Sequence, residues 1–184
     1  HNNANAHAAW VGMGSPQKPS KEQLEQLRIA SRLKPVIGAT KETDAAGLKW
    51  AGGWTDNPAN GLPYIMAEMF LIDPNNGRLK AVLEGGYLTD IRTGAATAVA
   101  AKYLARKNSG TVAIIGAGAQ GRMQLRALNC LFTLKDVRVA DALPESADRF
   151  ADNLSVEIGV NVRPYADIQA AVKGADIIVT ATSA

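Results

Sequence analysis

The stretch Thr111-Val112-Ala113-Ile114-Ile115-Gly116-Ala117-Gly118-Ala119-Gln120-Gly121 runs from an apolar segment straight into a glycine loop. Val112–Ile115 has the length and composition of a buried strand, and Gln120–Leu131 follows with Leu125 and Leu128 at helical spacing. In a strand–loop–helix of this kind Gly116 permits the tight turn. Gly118 lets the backbone approach a pyrophosphate with no Cβ in the way, and Gly121 lets the helix pack closely on the sheet. The amides at the helix start, from Ala119 and Gln120, then face the phosphates together with the positive end of the helix dipole. The plainer reading is a glycine turn that only joins strand to helix.

Asp141 speaks against the plainer reading. It ends the next expected strand, Val137–Ala140, about 20 residues beyond Gly121, where an acid accepts hydrogen bonds from an adenosine ribose. A free 2′-hydroxyl donates to that carboxylate, whereas a 2′-phosphate is repelled by it. Ala142-Leu143-Pro144 brings no Arg or Lys to offset the repulsion, so NAD is expected rather than NADP. Asp141 as an ordinary cap before Pro144 is the alternative. The rhythm continues with a helix over Pro144–Leu154, a weak strand over Val160–Val162, a short helix over Ala166–Val172 and a strand over Ala175–Ala181. Such alternation marks a Rossmann-type doubly wound parallel α/β sheet. Thr180, Ala181 and Thr182, at the end of that strand, are further candidate cofactor contacts. The boundary is expected near Ser109-Gly110, dividing residues 1–109 from a dinucleotide-binding portion over 110–184.

Upstream the pattern differs. Leu48–Gly53 reads as a short strand and Trp54–Pro63 as a loop. Tyr64–Asp73 and Arg78–Leu83 flank Pro74-Asn75-Asn76-Gly77, so a β-hairpin is expected. Tyr87–Arg106 is an alanine-rich helix that Thr89 or Asp90 can cap, with Lys102, Arg106 and Lys107 placing positive charge at its end. A short amphipathic helix is expected over Lys21–Arg32, after a helix-start pair of Ser20 and Gln23.

Composition bounds the function classes. Among 184 residues, 47% are hydrophobic and 20% charged, which supports a buried core and argues against disorder. The net charge of +3 comes from 20 scattered bases among 17 acids, a mixed solvated surface rather than a nucleic-acid face. No run reaches the ~18 apolar residues of a membrane span, and the opening residues do not resemble a signal peptide. The single Cys130 allows no internal disulfide and fits a reducing, cytoplasmic setting; after Leu125 and Leu128 it is expected to be a packed thiol. His1 and His7 stand without Cys or His neighbours, so no metal site is expected. The chain opens without Met and stops just after a strand-like run, so a truncated chain is expected.

Two upstream cations carry candidate chemistry. Arg92 stands near the start of the alanine-rich helix, and Thr93–Ala101 brings no other charge. A guanidinium there is costly to bury unless it meets an anion such as a substrate carboxylate or a phosphate; a surface arginine is the alternative. Lys49 lies within the strand Leu48–Gly53, and its alternative is an edge-strand lysine facing water.

The wording on both sides of the boundary resembles the ornithine cyclodeaminase/μ-crystallin family. The likeness is carried by Leu48-Lys49-Trp50, Asn57-Pro58, Gly61-Leu62-Pro63, Glu84-Gly85-Gly86-Tyr87-Leu88-Thr89, Ile91-Arg92-Thr93-Gly94-Ala95-Ala96, Ala101-Lys102-Tyr103-Leu104-Ala105 and Ile114–Gly121 with its Gln120. It covers about residues 44–184. The resemblance implies a mixed α/β substrate-binding and dimerisation domain followed by an NAD-binding Rossmann domain, assembled as a homodimer. It also implies chemistry at the Cα–N bond of an amino or imino acid. In the cyclodeaminase version the α-hydride of L-ornithine passes to bound NAD⁺, the side-chain amine closes on the resulting imine, ammonia leaves, and return of the hydride gives L-proline. Relatives run half of that cycle as alanine dehydrogenases or ketimine reductases, and μ-crystallin relatives can be non-catalytic binders. By position Lys49 matches the family's substrate-side lysine. Arg92, with Thr93 beside it, matches the arginine near the substrate carboxylate and cofactor phosphates. Tyr64 replaces a small hydroxyl residue that is common near the cofactor. Arg28 and Arg32 are available for the family's early substrate-binding arginine, with no motif to choose between them, and the family's catalytic aspartate is expected beyond Ala184.

Overall fold

The computed structural model describes residues 34–40 and 45–182; the expected helix over Lys21–Arg32, with Arg28 and Arg32, and both histidines lie outside the described residues. The chain divides into two compact units, His1–Tyr87 and Leu88–Ala184. The first contains an antiparallel sheet in the order β1 (Lys34–Thr40), β2 (Ala45–Gly53), β3 (Ile65–Ile72) and β4 (Leu79–Glu84). The expected hairpin is β3–β4. Its turn closes through the Asp73 amide on the Arg78 carbonyl (2.8 Å), while the Asp73 carboxylate takes the Asn75 amide (2.9 Å). Gly77 sits at φ 74°, a conformation that L side chains rarely adopt. The loop before β3 holds a single 3₁₀ turn, Pro58–Asn60, tied to the strand by the Asn57 side-chain amide on the Pro63 carbonyl at 2.8 Å.

The alanine-rich helix α1 spans Gly86–Leu104 and starts earlier than expected. Thr89 and Asp90 lie inside it, because the Glu84 carboxylate accepts the Gly86 and Tyr87 amides and caps the helix one turn sooner. From Leu88 onward the helix belongs to the second unit. The alternation begins at 110, as the sequence suggests, but the compact unit begins one helix before it, because α1 packs through Gly94, Ala98 and Ala101, which are buried.

The second unit is a parallel sheet in the order β7 (Val162–Pro164), β6 (Asp136–Ala140), β5 (Thr111–Ile115), β8 (Ile177–Thr180). The connecting helices are α2 (Ala119–Asn129), α3 (Pro144–Ile158) and α4 (Ile168–Val172). Strands β5, β6 and β7 step in one direction, and the chain then crosses back to place β8 on the other side of β5. Crossovers of one hand therefore put α4 on the face opposite α2 and α3. The cores agree. Val112, Ile114, Val137 and Val139 pack with Leu125 and Leu128 of α2 and with Phe150 and Leu154 of α3, while Ile115, Ala140 and Ala171 of α4 form a second cluster. The sheet is thus doubly wound. Leu125, Leu128, Leu154 and Ile114 are fully buried, each contributing roughly 1.5–3 kcal/mol of transfer free energy.

Cys130 is exposed, not packed. It follows Leu128 by two residues, about 200° around a helix of ~3.6 residues per turn, so the burial of Leu128 turns position 130 outward.

The amino end of the sheet is held by Asp176. Its carboxylate accepts the amides of Gly110 (2.9 Å) and Thr111 (3.0 Å) and pairs with Arg106 at 2.5 Å. Those bonds stabilise the ionised form and lower its pKa from 3.8 to about 2, the two amides contributing first and Arg106 next. A pKa lowered by folding gives stability that is present above the unfolded value and lost as pH falls toward the folded one. Asp176→Asn is therefore expected to lower the thermal midpoint at neutral pH, with the gap from wild type closing as pH falls from about 4 to about 2. Melting curves across that range check this; a gap independent of pH counts against it.

Candidate functional site

The carboxyl ends of β5 and β8 lie side by side, with Ile115 in register with Thr180. Strand order reverses between them, since β6 and β7 stand on one side of β5 and β8 on the other. A crevice opens at such a point in a parallel sheet, and the loops that follow the two strands line it. After β5 comes Gly116–Gly121; after β8 come Ala181 and Thr182, both described, with Thr180 and Thr182 exposed. The Ala181 amide donates to the Ile115 carbonyl at 2.7 Å, which joins the two loops.

The three glycines of the loop are glycine for different reasons. Gly116 sits at φ 106°, and a Cβ there meets the Ala181 carbonyl oxygen at 2.5 Å. At Gly121 a Cβ runs into the Gly116 carbonyl oxygen and comes within 3.1 Å of the Ile114 side chain, so the close helix–strand approach expected from the sequence is present. Gly118 is unlike both. It is extended, at φ −81° and ψ −171°, and a Cβ there meets nothing within 4 Å. Nothing among the described residues asks for glycine at 118, and a methyl group would meet none of them within 4 Å.

Gly118 is also the N-cap of α2 and offers no capping side chain. The first intrahelical bond runs from the Arg122 amide to the Gly118 carbonyl (3.1 Å), so the amides of Ala119, Gln120 and Gly121 precede the helical ladder. A row of such amides at the positive end of a helix dipole suits a phosphate. The residues present therefore fit a dinucleotide pyrophosphate.

Asp141 lies just past β6 and is half-buried. One carboxylate oxygen accepts the Ala117 amide at 2.7 Å and the other the Leu143 amide at 3.0 Å. It thus shapes the turn before α3 and, which the sequence did not suggest, braces the glycine loop. Each oxygen keeps a lone pair for a further donor.

The other candidates are placed as follows. Gln120 is half-buried in the first turn of α2, and its side-chain amide donates to Asp90 of α1. The Thr93 hydroxyl donates to the Thr89 carbonyl one turn back (2.8 Å). Arg92 is exposed and makes no hydrogen bond or ion pair with the described residues, so the burial considered from sequence does not arise. Lys49, in the first unit, is not on an edge. Strand β2 lies between β1 and β3, and Lys49 stands in register with Met69, which in turn faces Leu83. Among the described residues no group of three His, Cys, Asp or Glu is placed to hold a metal ion, and no helix is long and apolar enough to cross a membrane.

Sequence reading overlooked the residues that join α1 to α2. Besides Asp90 and Gln120, the Thr97 hydroxyl donates to Gln124 at 2.7 Å. Between these ties a Cβ on Gly94 would stand 2.6 Å from the Met123 carbonyl oxygen, so the helices touch backbone to backbone. The available signal was periodicity: 90, 94 and 97 on one helix, and 120 and 124 on the other, each share a face.

Known proteins share this arrangement. An alanine dehydrogenase of Archaeoglobus fulgidus is 37% identical over 173 residues, 92% of this chain and 51% of that protein. An ornithine cyclodeaminase of Agrobacterium fabrum is 38% identical over 85% of this chain and 45% of its own length. Among solved structures, Thermococcus litoralis Δ1-pyrroline-2-carboxylate reductase in complex with NADH and L-proline superposes with a TM-score of 0.74 at 31% identity, covering 85% of this chain and 54% of that one. The chain spans about half the length of the curated relatives it matches. The model of the ornithine cyclodeaminase/mu-crystallin family matches residues 8–184, on both sides of the boundary between the two units, and the chain belongs to that family.

Proposed function

We propose that this chain supplies the NAD site, and part of the substrate side, of an enzyme of the ornithine cyclodeaminase type, converting L-ornithine to L-proline and ammonia. The observation that supports the nucleotide reading is Gly118, a glycine for which packing among the described residues gives no reason, at the mouth of a helix that lacks a capping side chain. NAD, when bound, supplies the hydride acceptor and donor. The loop binds and orients it: the first amides of α2 take the pyrophosphate, and Asp141 takes the adenosine ribose and disfavours a 2′-phosphate. Thr180, Ala181 and Thr182 flank the same crevice. Arg92 neutralises phosphate or a substrate carboxylate, and Lys49 acts on the substrate side, as the family's pattern suggests. Both contributions are positional and electrostatic. A homodimer in the cytoplasm is the setting we assign to the whole protein.

A second reading keeps the site and changes the substrate. The A. fulgidus relative is an alanine dehydrogenase and the T. litoralis neighbour a reductase of a cyclic imino acid, which favours net redox chemistry equally well. Incubating the full-length protein with NAD⁺ and L-ornithine separates the readings. Proline and ammonia without net NADH support the cyclodeaminase. Stoichiometric NADH from an amino acid, or its consumption by a ketimine, supports the second reading. Cofactor binding with no turnover of any amino or imino acid points to a binding protein of the μ-crystallin kind. Arg92→Ala is expected to weaken substrate or cofactor binding by roughly 10–100-fold, the worth of a charge-assisted hydrogen bond; unchanged affinity for both removes Arg92 from the site.

The glycines give a sharper test. Gly118→Ala is expected to leave the melting temperature within a degree or two of wild type yet weaken NAD by at least about tenfold, since the new methyl occupies ligand space. Gly121→Ala should do the reverse, lowering the melting temperature by several degrees. Tight NAD binding by Gly118→Ala removes the glycine loop as the pyrophosphate site.

A further inference from the structure

The first turn of α2 has no side-chain cap of its own. Its N-cap is Gly118, which has no side chain to hold the helix start, and the amides of that turn precede the helical ladder. Besides the close approach of Gly121 to Gly116, the neighbouring helix holds this turn. The Gln120 side-chain amide, in the first turn of α2, donates to the Asp90 carboxylate of α1. This orientation is not one Gln120 would choose for itself. With its nitrogen given to Asp90, its oxygen is buried without a hydrogen-bond partner among the described residues, a state that native proteins tolerate when the surroundings over-determine it. One turn further along, Thr97 holds Gln124 at 2.7 Å, and between the two ties the Gly94 backbone lies against the Met123 carbonyl. The lower tie and the glycine contact fix how near the helices come. The upper tie is the one that acts on the phosphate-facing turn.

We propose that Asp90 is a positioning residue for the nucleotide site, acting through Gln120 to fix the rotation of α2 so that its first amides converge beside Gly118. Asp90 is not itself among the groups assigned to face the pyrophosphate. It sets the aim of donors that do, in the way second-layer hydrogen bonds fix the geometry of a binding group. The inference rests on the reading that the first turn of α2 holds the pyrophosphate.

The experiment is a titration of the full-length protein with NAD⁺, followed calorimetrically, beside thermal melts of each variant. Asp90→Ala is expected to weaken NAD by about five- to tenfold, the effect of losing one hydrogen bond. Asp90→Asn, whose side-chain oxygen can accept the same bond, should bind within about twofold of wild type. Gln120→Ala should match Asp90→Ala in NAD affinity, and the double variant should bind no more weakly than either alone, since each substitution removes the tie between these two side chains. Thr97→Val is the control for packing: it removes the lower tie and should lower the melting temperature while leaving NAD affinity unchanged. Wild-type affinity in Asp90→Ala, additive losses in the double variant, or an equal loss in Thr97→Val each overturn the role of Asp90. Should Asp90→Ala not fold, Gln120→Ala set against Thr97→Val decides the same question. Failure of the wild-type protein to bind NAD⁺ overturns the underlying reading as well, and is distinguished by occurring before any substitution is made.

Discussion

The backbone of Gly121 lies against the carbonyl of Gly116, and there is no room between them for a methyl group. That contact brings the start of α2 down onto the end of β5 and sets where the first amides of the helix stand. It also holds Gly116 where its amide reaches the Ala140 carbonyl at 2.8 Å and where Ala181 closes over it. The ends of β5, β6 and β8 are thereby drawn to one point by backbone atoms alone. The side chains that follow, Asp141 above all, are placed by that frame.

The strand order makes such a point. Successive parallel strands are joined by crossovers, and where the order reverses at β5 a crevice opens at the carboxyl ends of β5 and β8. The core supplies the rigidity. The apolar runs of β5 and β6 are buried from both sides, by α2 and α3 on one face and by α4 on the other. The ends of the unit are pinned by charge. Asp176 gathers the amides of Gly110 and Thr111, while Asp136 pairs with Arg138 and Arg163, and Arg138 also donates to the carbonyls of Ala171 and Lys173 at the end of α4. These pairs are partly exposed, and their worth lies less in Coulomb energy than in satisfying backbone groups that would otherwise be left over.

Elements with strong periodicity were legible. The strand at Val112–Ile115, the glycine loop, the helix that buries Leu125 and Leu128, the hairpin around Gly77 and the alternating order all follow from apolar spacing and turn chemistry. The errors have local physical causes. Thr89 and Asp90 are favoured capping residues, but a carboxylate two residues before Gly86 competes for the same amides and starts the helix earlier. Cys130 was expected inside because it neighbours apolar positions, yet its angle around α2 points it outward. For Lys49 the sequence left an edge-strand lysine as the alternative to a substrate-side role, because a single strand carries no information about its neighbours; pairing puts it on an interior strand.

By itself the sequence determined the class of the second unit and the place of its glycine loop, because both depend on residues close together in the chain: an apolar run, three glycines and an acid at fixed offsets. It also carried the family, through motifs on both sides of the boundary. Only the tertiary structure decided which glycines the fold itself requires. Gly116 and Gly121 are explained by Ala181 and Ile114, which folding brings near, whereas a Cβ on Gly118 meets none of the described residues within 4 Å. It likewise decided that Asp90 belongs to the glycine loop. The carboxylate and the Gln120 amide are thirty residues apart in sequence, and hydrogen bonds across such a separation depend on how two helices cross, which no local pattern records.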